Sequence, residues 1–173
     1  MITSRGLLAL AAFGGLALAA CSSSPTSSAP AGGGGANTMV AFRNVSGIGK
    51  VLTAGDGHTL YTAEQERSGK LSCTSACTTI WKPLTVVTGQ QPSAPSSVRG
   101  KLSTVTRPNG LNQVTLNGAP LYTFSLDHAA GQTNGNGAKD SFNGVHFTWH
   151  AATATGAAAP AQTNSSGSGG YGY

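Results

Sequence analysis

Apolar and polar positions alternate along most of the middle of the chain, and almost nowhere do they recur at the spacing of a helix. The run "KVLTAGDGHTLYTA" carries two β-rich stretches around Asp56-Gly57, a dipeptide suited to a hairpin turn. "KLSTVTRPNGLNQVTLNGAPLYTF" carries three more, divided by Pro108-Asn109-Gly110 and by Asn117-Gly118. "GVHFTWHA" closes the pattern: Val145, Phe147 and Trp149 alternate onto a face expected to be buried, while His146 and His150 are expected to be exposed on the other. The pattern predicts strands over about 48–54, 58–63, 100–107, 112–117, 119–125 and 144–151, with a short one through 84–88. These make an all-β domain of antiparallel hairpins.

The strands fall into two tandem hairpin-type units, one over about 48–88 and one over about 100–152. "TLYTAEQE" (59–66) returns sixty-one residues later as "PLYTFSLD" (120–127). Each copy holds a turn, a Leu-Tyr-Thr strand, a long polar excursion and a tryptophan, Trp81 or Trp149. Two such units can pair their open faces over a shared core. On the second motif strand, Tyr122 and Phe124 share one face and Leu121 and Thr123 the other. Asp127 lies past the strand end, where a carboxylate can accept N–H groups of the loop that follows. In the first copy Tyr61 is retained, but the central aromatic is Ala63 and the acid is Glu66. There a bridge between Cys73 and Cys77, which lie in the excursion, is expected to take over the pinning of the loop.

The chain ends change the picture. Leu7 to Ala20 are all apolar or Gly and follow Arg5. The run is too short to span a bilayer and fits a signal peptide over 1–20. Leu18-Ala19-Ala20-Cys21 resembles the bacterial lipobox, which implies a lipid on Cys21, palmitate included, and extracytoplasmic anchoring to the cell membrane. The Ser-, Pro- and Gly-rich segment 21–38 reads as a flexible tether, and 153–173 as a disordered tail. The domain itself is 39–152.

Only 9% of residues are charged. The formal +5 falls to +4 without Arg5, and the basic residues are scattered. That argues against nucleic acid and leaves the membrane, an envelope protein or a wall polymer as partners. With Cys21 set aside, Cys73 and Cys77 form an even pair, which outside the cytoplasm usually becomes a disulfide. Four strand positions span about 13 Å, whereas bridged Cα atoms lie within about 7 Å. "CTSAC" must therefore turn back on itself. The alternative is a copper or redox site formed by Cys73, Cys77 and His58. A second alternative is an envelope hydrolase using two of Asp56, Glu64, Glu66, Asp127 and Asp140. No nucleophile elbow or His-Glu-x-x-His helix accompanies these acids, so no catalytic activity and no cofactor are expected.

Tyr122, Phe124 and Asp127 fit the motif Tyr-x-(Phe/Trp/Tyr)-x-x-Asp. With the cysteine pair, Trp81, Pro83 and Leu84 of the first copy, the chain resembles the bacterial secreted-repeat lipoproteins. The resemblance implies a secreted, lipid-anchored β module. It implies no particular activity, because none is established for the family.

Overall fold

The computed structural model describes residues 39–160. The signal peptide, the tether with Cys21, and residues 161–173 lie outside the described residues. In chain order the strands are β1 (Val40–Val45), β2 (Gly49–Ala54), β3 (Leu60–Ala63), β4 (Trp81–Pro83), β5 (Thr85–Val86), β6 (Leu102–Thr106), β7 (Asn112–Leu116), β8 (Ala119–Pro120), β9 (Tyr122–Phe124), β10 (Lys139–Phe142) and β11 (Val145–Ala151). One 3-10 turn (Glu64–Glu66) and one short helix, α1 (Cys77–Ile80), interrupt them. All named strand pairs are antiparallel. The domain is all-β, as the alternation predicts.

A five-stranded sheet in the order β10-β11-β3-β9-β4 runs through the middle. The β1-β2 hairpin forms a separate sheet, and in a third β7 pairs with β6, β5 and β8. Strand β3 is buried at all four positions because it is covered on both faces. Leu60 and Leu121 point to the aliphatic core with Leu52, Val114 and Leu116. Tyr61, Tyr122 and Phe124 point to an aromatic core with both tryptophans and both cysteines. Period-2 alternation thus sorts one strand between two cores of different composition.

Two hairpins turn on Asn-Gly pairs. Asn117-Gly118 joins β7 to β8 and Asn143-Gly144 joins β10 to β11, all four residues at positive φ. That is the geometry of the two-residue turn that matches strand twist.

Several expectations are corrected. β1 precedes β2 just as β6 precedes β7, so the first unit begins at Val40 rather than near 48. The run expected as one strand over 119–125 divides at Leu121, with β8 in one sheet and β9 in the other. Residues 153–160, expected in a disordered tail, belong to the fold. Thr153 bridges Val51, Ala152 bridges Ala158, and Ala154 and Ala159 are buried. Small side chains pack there at little entropic cost, and Gly156 at φ +82° turns the chain.

Candidate functional site: two interlocked latches

The two motif strands are neighbours. β3 and β9 pair with Tyr61 opposite Tyr122. Each is flanked on its other side by the tryptophan strand of the other copy. β11 lies beside β3 with Trp149 opposite Ala63, and β4 lies beside β9 with Trp81 opposite Phe124. Neither unit closes on itself; each completes the sheet of its partner.

The side chains repeat this exchange. The Tyr61 hydroxyl of the first copy donates to Asp127 Oδ2 of the second at 2.6 Å. The Tyr122 hydroxyl of the second copy donates to Glu66 Oε2 of the first at 2.7 Å. Each acid also holds its own loop. Glu66 Oε1 accepts the N–H groups of Ser72 (2.5 Å) and Cys73 (2.7 Å), and Asp127 Oδ1 accepts that of Asn134 (3.0 Å). A latch is therefore a carboxylate that ties its own loop to the tyrosine of the other copy. Such charge-assisted bonds are about twice as strong as neutral ones.

Burial and the neighbouring carboxylate push both phenols well above their ordinary range, so both remain hydrogen-bond donors. Burial also pushes Asp127 up, opposed by its bonds from Tyr61 and Asn134 and by His58 nearby.

Between the latches lies a ladder of rings. Phe147, Trp149, Trp81 and Phe124 stack in that order, with centroids 5.5, 3.9 and 4.2 Å apart. Tyr61 meets Trp81 edge-on at 5.5 Å, and Tyr122 meets Trp149 at 5.2 Å. Such contacts add about 0.5–1.5 kcal/mol each beyond area burial. The ladder explains the departure of the first copy at Ala63. Phe124 stacks on its cross-strand partner Trp81, while Trp149, opposite Ala63, is stacked instead by Phe147 from its own strand. A Cβ at Gly135 would come within 2.8 Å of Trp81 and 3.0 Å of Tyr61, so the second loop lies directly on the rings.

Asp140 was not assigned a place by the sequence pattern, and it joins the two halves. Its Oδ2 accepts the Trp81 indole N–H at 2.6 Å and its Oδ1 accepts that of Trp149 at 3.0 Å. The signal that could have placed it is Asn143-Gly144, which returns β10 along β11.

The structure brings Tyr61, Glu66, Tyr122, Phe124 and Asp127 into one site. Cys73 and Cys77 are joined by a disulfide with Cα atoms 5.3 Å apart, in a turn that Ser75 makes at positive φ. The bridge does not replace the first acid, as had been expected; Glu66 pins its loop and the disulfide reinforces it. The copper set Cys73, Cys77 and His58 is not assembled. Both sulfurs are spent in the bridge, and His58 Nδ1 lies 3.1 Å from Asp56 Oδ2. Among the described residues no three His, Cys, Asp or Glu side chains are grouped to hold a metal ion. His146 is exposed as expected. His150 is not: its side chain is 13% exposed and its Nε2 lies 2.8 Å from Glu64 Oε1.

Fold and site together define a tandem-repeat β module closed by exchanged tyrosine–carboxylate latches. Residues 103–153 match the family model of a secreted repeat of unknown function, the family that the motif residues resemble. The module is accordingly an extracytoplasmic one. No curated protein and no solved structure matches the chain. No helix of the described residues is long and apolar enough to cross a membrane.

Proposed function

We propose that this protein is a membrane-anchored extracytoplasmic lipoprotein, and that its β domain is a non-catalytic binding or structural module of the envelope. The observation that carries the second half is the use made of the acids. Glu66 and Asp127 are spent on the latches and Asp140 on the two indoles. Asp56 pairs with His58, and Glu64 with His150 and Arg67. With these five the chain has used every carboxylate side chain it possesses. Glu66, Asp127 and Asp140 are thereby committed to holding the fold, where a general acid or base would have to face a substrate.

The anchor is carried by Cys21 and tested there. Cys21→Ser should release the protein from the membrane fraction or leave it unprocessed. A variant that fractionates and migrates like the parent would contradict the anchoring.

A further inference from the structure

A groove of about 490 Å³ opens beside the first latch. Its lining includes Thr74, Ser75 and Thr78 of the disulfide turn, where the Thr78 hydroxyl donates to the Ser75 carbonyl at 2.7 Å, with Lys82 of β4 and Asn109 of the β6-β7 turn. Arg107 also lines it. Arg107 is itself buried, donating to the Cys73 carbonyl at 2.6 Å and to Gln113 Oε1. No acid lines the groove. Lys82 is exposed, and the Asn109 Oδ1 accepts the Leu111 N–H at 3.3 Å, which leaves its amide N–H groups for a ligand.

The rim is apolar. Among the described residues the exposed large hydrophobic side chains are Val87, at 70%, and Leu111, at 50%. Both stand here. The register of β5 with β7 pairs Thr85 with Gln113 and Val86 with Asn112, and continuing it one step beyond the paired residues would bring Val87 towards Leu111. A cationic, hydroxyl-lined cleft with an apolar lip matches a bilayer interface. There a charge meets an anionic phosphate, hydroxyls meet a polyol, and apolar tips enter the acyl boundary. A ligand free in water would leave the lip uncovered.

We propose that this groove receives the headgroup of an anionic phospholipid, and that Val87 and Leu111 enter the membrane surface beside it. The inference deepens the reading of the domain as an envelope binding module and does not depend on the anchor.

The test uses the mature chain from residue 21 onward, carrying Cys21→Ser and produced without the signal peptide, so that it bears no acyl group. It is mixed with phosphatidylcholine vesicles with and without phosphatidylglycerol, and binding is read by sedimentation. Binding should require phosphatidylglycerol and weaken with salt. Lys82→Ala should weaken it about fivefold, the loss of one basic residue at a charged surface. Val87→Asp with Leu111→Asp should remove it while leaving the melting temperature near that of the parent. Equal binding to both vesicles, or parental binding by these variants, would overturn the proposal. So would binding of soluble glycerol phosphate as tight as that of vesicles and indifferent to Val87 and Leu111, which would make the groove a site for a free polyol phosphate. The anchor is read separately, by incorporation of labelled fatty acid at Cys21, which groove binding cannot mimic, so the two readings can be told apart.

Discussion

The latches at Glu66 and at Asp127 have the same topology and different electrostatics. Glu66 has no exposed surface and accepts three hydrogen bonds. The Arg107 guanidinium acts on the same cluster. It binds the Cys73 carbonyl and opposes the rise of Tyr122, and the disulfide closes the loop covalently. Asp127 is 4% exposed and accepts two bonds, from Tyr61 and Asn134. Its loop is held by small polar groups instead. Gln132 accepts the N–H groups of His128 and Ala129, and Asn134 donates to the Leu126 carbonyl. One copy offsets a buried carboxylate with a guanidinium and a cross-link. The other leaves it less compensated, and its acid is displaced upward by burial. A duplicated unit can therefore keep one closure geometry while its two ends settle at different strengths.

The largest effect should come from what the two ends share. Trp149→Ala removes the middle of the ladder and one of the two donors to Asp140. It should cost about 3–5 kcal/mol, the range for aromatic truncation in cores, as read by chemical denaturation. Glu66→Gln comes next, at about 2–3 kcal/mol, because three donors lose a charged acceptor. Breaking the bridge with Cys73→Ser and Cys77→Ser should cost about 2 kcal/mol, the chain-entropy value for so short a loop. Asp127→Asn should cost less than Glu66→Gln, about 1–2 kcal/mol, since an amide oxygen still accepts one loop N–H. Equal costs for the two acids would erase the distinction between the ends.

The smallest effect is in pH dependence. The folded-state pKa of Asp127 lies above its ordinary value, so the folded chain holds this proton to higher pH than the unfolded chain does. The contribution is complete below the unfolded pKa of about 3.9 and is lost as pH rises through the folded value. Across that window the parent should lose stability relative to Asp127→Asn, measured as the difference in melting temperature. A difference of opposite slope would mean that the bonds from Tyr61 and Asn134 outweigh burial.

Much of this was legible in the chain. Alternation identified most long strands, and the repeated Leu-Tyr-Thr identified the motif residues. Three strands were not found. β4 is only three residues long and contains Pro83, which disqualifies a central strand but suits the edge it occupies. β10, "KDSF", has little strand propensity and is held by its turn and by Asp140. β1 ends in Arg43-Asn44-Val45, where the alternation fades. The exchange itself was not legible. A repeat shows that Glu66 and Asp127 are equivalent. It does not show whether each acid meets its own tyrosine or that of the other copy, since both closures use the same residues. That choice is made by the antiparallel pairing of β3 with β9, a contact between residues 61 apart.

The exchange is the central claim, and double-mutant cycles test it directly. Tyr61→Phe combined with Asp127→Asn, and Tyr122→Phe combined with Glu66→Gln, should each show a coupling energy of about 1–3 kcal/mol in equilibrium unfolding, as expected for groups in direct contact. Tyr61→Phe with Glu66→Gln, and Tyr122→Phe with Asp127→Asn, should be additive within about 0.5 kcal/mol. Coupling within each copy and additivity between copies would contradict the interlocked arrangement.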